Sequence, residues 1–392
     1  MARDRRVQEA SVGNCEVSAT CTTIPAVAEW TGMPCAMKPW SSNASICATS
    51  STRALEPECF PWGSRPDPAG YAAHRVQTSS ADPQLRLRTM RVAVTGATGF
   101  IGAALAKALT DEGHSVTALT RRPDDYAGAG RAVHADIGDE LSLRQALDGQ
   151  EAAYYLVHSL AIENFAVKDR EGANAFAAAA TGAGLSQVIY LGGLGDDRDD
   201  LSEHLRSRRE VESILRDGAP TTALRAGIVI GDGSISWEIL RQLVERLPVM
   251  ITPRWVQTKT QPIALDDALI DLVGVLGRPD TIGEVYDIGG PEALTYRDMM
   301  LIASRVMDRH RVIVPVPLLS PRLSSHWLRI ITDVDLTTAR TLVDSMTNEV
   351  IVHDHRLDEL LGHTPMTFAE AAAKALAARA ERRAAAEVRA RP

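Results

Sequence analysis

From residue 91 onward, short runs of apolar and β-branched residues alternate with longer stretches whose apolar positions recur every three or four residues. The first pattern suits strands, whose side chains point alternately to two faces; the second suits helices that bury one stripe. Strands are expected over 91–95, 115–120, 132–135, 152–157, 187–191 and 222–230, and helices over 101–112, 141–147, 166–183 and 205–217. Regular strand–helix alternation with short connections predicts an α/β fold, a doubly wound parallel sheet with helices on both faces. Right-handed crossovers then place a ligand at the C-terminal ends of the strands. Tyr154 and Tyr155, adjacent in the fourth strand, should pack on opposite faces.

The pattern weakens beyond residue 230. A loop at 231–234 precedes an amphipathic helix over 236–247. Residues 248–255 are apolar with two prolines and end on Arg254 and Trp255, which suit either a pocket wall or inter-domain packing. A helix over 266–276 and a strand over 284–288 should return to the main sheet. Gly289-Gly290-Pro291 stops that strand, and Thr295 can cap a helix running to Met307. Residues 309–365, with apolar stretches at 312–319 and 321–342, are expected to form small elements over the cleft. Residues 367–390 are Ala-rich and net basic, with high helix propensity and little apolar stripe, so a partly detached helix without chemistry is expected.

Residues 1–89 differ from everything after them. All five cysteines and three of the six tryptophans (Trp30, Trp40, Trp62) fall here, among frequent prolines and serines and without persistent periodicity. No Cys-x-x-Cys pair or nearby histidine cluster supports a metal or disulfide module. This stretch is expected to be a disordered extension, and Met90, directly before the first strand, is an alternative start. The remaining divisions are a nucleotide-binding domain over 90–230, the last strands plus a smaller substrate region over 231–368, and a helical tail over 369–392.

Composition removes several function classes. The formal charge of −8 argues against a nucleic-acid partner, which usually meets a basic face. No run of about 18 apolar residues reads as a membrane span, and no apolar segment follows the initial arginines as in a secretory signal. A cytoplasmic protein acting on a small molecule is the expectation; its oligomeric state is left open. His353-Asp354-His355 has no clear third ligand, so no metal site is expected.

The candidate chemistry begins at Thr95-Gly96-Ala97-Thr98-Gly99-Phe100-Ile101-Gly102, between the first strand and the first helix. Three glycines spaced Gly-x-x-Gly-x-x-Gly let the chain turn sharply, approach a pyrophosphate and pack helix against strand. The free amides and dipole of the helix start then attract phosphate. Where an NAD-selective pattern places an acid to bind the ribose 2′-hydroxyl, this chain has Arg121 and Arg122. A guanidinium there pairs with a 2′-phosphate, favouring NADP(H) over NAD, unless both arginines are merely solvated surface residues. Asp136, after the third strand, offers a carboxylate at the adenine end. Val157 and His158, after the fourth, line the path toward the nicotinamide, although a lone histidine is more often a packed, hydrogen-bonded one.

These residues carry a resemblance. Residues 95–102, together with Tyr155-Leu156-Val157-His158-Ser159, Ile189-Tyr190-Leu191-Gly192-Gly193-Leu194-Gly195, Gln261-Pro262-Ile263-Ala264 and Asp287-Ile288-Gly289-Gly290-Pro291 with Leu294-Thr295-Tyr296, resemble the short-chain dehydrogenase/reductase superfamily in its extended and atypical branches. The likeness spans residues 90–370 and is greatest to the NAD(P)H-binding group that includes NmrA-like and epimerase/dehydratase-like proteins. It implies a Rossmann-type domain and a smaller C-terminal region closing over the substrate. The catalytic positions depart from the family pattern. Where active members have Ser or Thr after the fifth strand, this chain has Gly192-Gly193; where they have Tyr-x-x-x-Lys, it has His204 and Arg208. The i,i+4 spacing keeps His204 and Arg208 on one helical face, within reach of a common ligand unless both are surface residues at a helix start after the acidic loop 196–200. Arg208 can hold ribose hydroxyls as the family's lysine does, and its charge disfavours protonation of His204. Asp169 falls where the extended branch often carries an active-site Asn.

Two function classes follow. One is an NADP(H)-dependent oxidoreductase acting on a small carbonyl or related substrate, with His204 as hydrogen-bond donor. The other is a non-enzymatic NADP(H)-sensing module of the NmrA-like kind. Nucleotide-sugar epimerase or dehydratase chemistry is disfavoured by the missing Tyr and Lys.

Overall fold

The computed structural model describes residues 88–158, 164–315 and 344–389. Expectations for the first 87 residues, for Ser159, for 316–343 and for the side chains of Arg254 and Trp255 lie outside the described residues. In chain order the first half comprises β1 (Arg91–Thr95), α1 (Phe100–Asp111), β2 (Ser115–Thr120), β3 (Arg131–His134), α2 (Glu140–Leu147), β4 (Ala152–Tyr155), α3 (Phe165–Gly182), β5 (Gln187–Gly193), α4 (Glu203–Gly218) and β6 (Thr221–Ala226). The second half comprises β7 (Val229–Ile230), α5 (Ile235–Arg246), β8 (Val249–Thr252), β9 (Lys259–Thr260), β10 (Ile263–Ala264), α6 (Leu265–Gly274), β11 (Val285–Ile288), β12 (Leu294–Thr295), α7 (Tyr296–Val306) and β13 (Val312–Pro315). Two further helices, α8 (Arg356–Leu361) and α9 (Phe368–Arg389), complete the described chain.

Seven strands form one sheet in the order β3-β2-β1-β4-β5-β6-β11, every neighbouring pair parallel. The sheet is Rossmann-type. The strand order reverses between β1 and β4, which is where such sheets open a crevice for a nucleotide. Alternation decides which face each side chain joins. Val92, Val94 and Tyr154 pack on the face shared by α1 and α6, whereas Ala93 and Tyr155 pack on the face covered by α2, α3 and α4. The Tyr154 hydroxyl donates to the Leu272 carbonyl of α6 at 2.9 Å, so even this core phenol is satisfied. A separate core, built on α5, α7 and the start of α9 around Trp237, Met299 and Phe368, forms the C-terminal side. Thr295 caps α7 in a reciprocal capping box with Asp298, as its position before the helix predicts.

One expectation is corrected and another is made more definite. The strand expected over 222–230 is two strands: β6 ends at Ala226 on the main sheet, and β7 pairs with β10 in a sheet of its own. The break falls at Gly227, where a Cβ would stand 3.1 Å from the Gln261 carbonyl oxygen, so a side chain there would crowd the step between sheets. The Ala-rich tail is docked rather than detached through its first half. Phe368, Ala371, Ala372 and Ala375 are buried, the small side chains allowing α9 close against α7. Arg379 and Arg382 then pair with Glu238 at 2.9 Å and Asp232 at 2.6 Å, bracing the loop before α5 from behind.

Candidate functional site

The turn between β1 and α1 is shaped by two close approaches. Gly96 adopts φ +67°, and a Cβ there would stand 3.1 Å from the Leu156 carbonyl oxygen of the neighbouring strand end. A Cβ on Gly102 would lie 2.7 Å from the Gly96 carbonyl carbon, so this position sets how tightly helix and loop meet. Gly99 begins α1 without a side-chain cap, and the first helical bond runs from the Ala103 amide to the Gly99 carbonyl at 2.9 Å. The amides of Phe100, Ile101 and Gly102 precede that ladder and face outward with the positive end of the helix dipole. This cradle suits a dinucleotide pyrophosphate, and a side chain at Gly96 or Gly102 would push apart the strand end, loop and helix that form it.

The loop borders a cleft of about 590 Å³ at the C-terminal ends of β1, β4, β5 and β6. Of the residues expected at the cofactor, Gly96, Thr98, Gly99, Phe100, Ile101, Gly102, Val157 and His158 line this cleft, as do His204 and Arg208. Thr95 does not reach it. Its side chain is buried, and its hydroxyl donates to the Tyr154 carbonyl and accepts from the Leu156 amide, both at 3.0 Å, tying β1 to β4 beneath the loop. Arg121, Arg122 and Asp136 stand exposed at the ends of β2 and β3, outside the cleft lining. Arg122 approaches Asp125 at 3.6 Å, and Asp136 accepts from the Gly138 amide at 3.0 Å. Asp169 is buried and accepts from the Ser207 hydroxyl at 3.3 Å, away from the cleft.

His204 and Arg208 rise from the first turns of α4, where helical spacing sets them side by side. Arg208 is almost fully buried. Its Nη2 donates to the Leu191 carbonyl at 2.6 Å, its guanidinium lies 5.4 Å from the Tyr190 ring centroid, and no carboxylate pairs with it among the described residues. Burial, and then the Arg208 charge, pull the His204 pKa down to about 4, so its imidazole is neutral at physiological pH. Its Nδ1 lies 3.1 Å from the Ser345 hydroxyl. The His158 ring stands 6.4 Å away, edge to face, and desolvation, Arg208 and His204 also hold its pKa below the ordinary histidine value. A second cavity of about 370 Å³, bordered by Phe165, Ser202 and Asp344, shares His204 with the cleft.

At the end of β5, the two glycines sit close to neighbouring side chains. A Cβ on Gly192 would meet the Tyr190 ring at 2.9 Å and one on Gly193 the Leu205 side chain at 3.0 Å. Tyr296, Ser345, Met346 and Val350 also line the cleft and were not singled out for the site by sequence. Tyr296 sits in the Leu-Thr-Tyr motif, but its place at the cleft depends on the second core, in which it packs; Ser345 has no local signal. Among the described residues no group of three potential ligands holds a metal, and no helix is long and apolar enough to cross a membrane.

Residues 96–242 match a protein-family model described as NAD(P)H-binding. A (4-alkanoyl-5-oxo-2,5-dihydrofuran-3-yl)methyl phosphate reductase of Streptomyces griseus is 30% identical over 231 residues, covering 56% of this chain and 74% of that protein. A ceramide reductase of Caulobacter vibrioides is 29% identical, covering 70% of this chain and 85% of the relative. Among solved structures, an NADPH-dependent quinone oxidoreductase of Escherichia coli in complex with NADPH superposes with a TM-score of 0.59 at 23% identity, covering 72% of this chain and 98% of that one, which shows the shared fold. The chain belongs to the NAD(P)H-binding family.

Proposed function

We propose that this protein is an NADPH-dependent reductase of a small carbonyl or related substrate, with His204 as the group that holds the reacting oxygen. The observation that carries the reading is the position of His204: a neutral imidazole shared by the glycine-loop cleft and the second cavity, beside a buried arginine. The reductase names of the two relatives support it. The amides of Phe100, Ile101 and Gly102 would hold the pyrophosphate, and Arg208 would stand at the nicotinamide ribose. When bound, NADPH supplies the hydride; the protein supplies position and electrostatics. His204 donates a hydrogen bond to the substrate oxygen, and the fixed Arg208 charge beside it stabilises the negative charge developing there. The alkoxide left by hydride addition takes its proton from solvent water in the open cleft. Such a reaction fits a cytoplasmic setting.

The test is NADPH consumption against a panel of carbonyls and quinones by wild type and His204→Ala. Turnover that falls at least about a hundredfold in the variant, with NADPH still bound, is expected from loss of one oxyanion donor. Equal rates in both would overturn the role of His204. Because His204 is neutral above about pH 4, kcat should show no break near the ordinary histidine pKa. A rate that drops as pH rises through that value would mean a protonated histidine is required.

A second reading, a nucleotide-sensing module, draws on the absence of a hydroxyl at Gly192-Gly193 and of a histidine that titrates near neutrality in the cleft. Tight NADPH binding with no turnover on any substrate would favour it. For cofactor choice, Arg121 is exposed beyond β2 and free to meet a 2′-phosphate. Arg121→Glu is expected to weaken NADPH binding by about tenfold or more and to leave NADH nearly unchanged. Equal losses for both nucleotides would remove the 2′-phosphate role.

A further inference from the structure

The wall of the cleft beside His204 is aliphatic. Leu205 follows His204 on α4, and Met346 follows Ser345, whose hydroxyl lies 3.1 Å from Nδ1 of the His204 ring; both line the cleft. Leu194 and Val350 line it as well. Leu194, Leu205 and Val350 belong to one small buried cluster and Met346 to the core around Trp237, so these side chains are held in place from behind. Ile235, the first residue of α5, lines the same cleft but is 46% exposed, whereas Trp237 two positions on is fully buried. An aliphatic side chain left in water at a concave site gains when an apolar ligand covers it.

Fixed charge is scarce in that lining. Among the described residues it holds one permanently charged group, Arg208, whose Nη2 donates to the Leu191 carbonyl at 2.6 Å. His204 and His158 are neutral at physiological pH, held below the ordinary histidine value by burial first and then by Arg208. The Ser234 hydroxyl is committed to the α5 start, donating to the Val229 carbonyl at 2.6 Å and accepting from the Trp237 amide at 3.5 Å. A phosphate or a sugar brought into such a site gives up water for few partners, and each polar group left unpaired costs binding. An alkyl chain has no such groups to leave unpaired.

We propose that the substrate is an uncharged ketone or aldehyde carrying an aliphatic chain, its oxygen at His204 and its chain covered by Leu194, Leu205, Met346, Val350 and Ile235. The reduction balances: the carbonyl carbon receives the hydride of NADPH, the oxygen a proton from water, and an alcohol and NADP+ result. The inference rests on the reductase reading for the place of the oxygen, but contact with the chain is measurable without turnover. Ile235 and Met346 set specificity here, touching the chain and not the reacting atoms.

The experiment is calorimetric titration of the full chain, saturated with NADP+ so that no reduction occurs, with methyl ketones of six, seven and eight carbons. Affinity should rise about threefold with each added methylene. Ile235→Asn and Met346→Gln should each weaken binding of the eight-carbon ketone by about fivefold or more and leave the NADP+ dissociation constant unchanged. Ile235 is exposed, so its variant stays informative if Met346→Gln does not fold. With NADPH in place of NADP+, kcat/KM should follow the same series. Affinity independent of chain length, eight-carbon binding unchanged in Ile235→Asn, or tighter binding of pyruvate or of uridine diphosphate glucose would overturn the proposal. Chain-length-dependent binding that the Ile235 change weakens, with no ketone reduced, would support the apolar site and count against the reductase reading.

Discussion

Gly102→Ala is expected to weaken NADPH binding by about two orders of magnitude while the sheet stays folded. The added Cβ would stand 2.7 Å from the Gly96 carbonyl carbon and 3.1 Å from the Ala97 Cα, both backbone atoms that cannot rotate away. Relief requires the start of α1 to move off the loop. That movement carries the amides of Phe100 and Ile101 out of register with the phosphates, where the helix dipole has most effect. Gly113→Ala is the control. Gly113 adopts φ +88° with nothing within 4 Å of its Cβ position, so alanine there costs backbone strain of about 1 kcal/mol and leaves the cleft untouched. Circular dichroism and calorimetric titration of both variants separate the two effects. Equal NADPH affinity in Gly102→Ala and wild type would mean the glycine loop does not hold the nucleotide.

Asp271→Asn is expected to stabilise the protein increasingly toward alkaline pH, raising the melting temperature by roughly 5 °C at pH 8. Asp271 lies on α6, is 1% exposed, and neither carboxylate oxygen has a partner among the described residues. Burial, followed by the nearby carboxylates of Asp358 and Asp267, raises its pKa to about 8. Asp267 on the same helix differs because the Met366 amide and His363 bond it, at 2.9 and 3.1 Å. The sign follows from proton binding. The native state holds the Asp271 proton up to about pH 8, whereas the unfolded chain releases it near the ordinary carboxylate value. Stability is therefore fully present below the unfolded pKa and is lost as pH rises to the folded one, by about 1.4 kcal/mol per unit at most. Asparagine cannot ionise and removes that slope. Melting curves from pH 5 to pH 9 that stay parallel for wild type and variant would show that Asp271 is not protonated in the fold.

Most of the nucleotide half was legible in the chain because its signals are local. A strand, three glycines and a helix within 21 residues, Arg91–Thr95 through Phe100–Asp111, form one unit whose geometry follows from φ freedom and helix polarity. Strand and helix periodicities placed β1 to β5 and α1 to α4 to within two residues. The step at Gly227 was hidden, since apolar character continues across a strand that changes sheets, and only contact with Gln261 explains the glycine. Thr95 likewise belongs to the family motif by position, yet burial turns its hydroxyl to the β4 backbone. The docked tail was missed for a related reason: alanine contributes little to an apolar stripe but lets two helices approach closely. Ser345 and Tyr296 reach the cleft from distant turns with no periodic signal, so tertiary packing alone places them beside His204 and the α5 start.

The central claim is that the loop at Gly96, Gly99 and Gly102 grips the diphosphate of NADPH. Isothermal titration of the full chain with NADPH and with NADH tests it most directly. The account predicts saturable one-to-one binding of NADPH that is tighter than that of NADH and is lost in Gly102→Ala. No heat of binding with either nucleotide, from a protein shown to be folded, would contradict it.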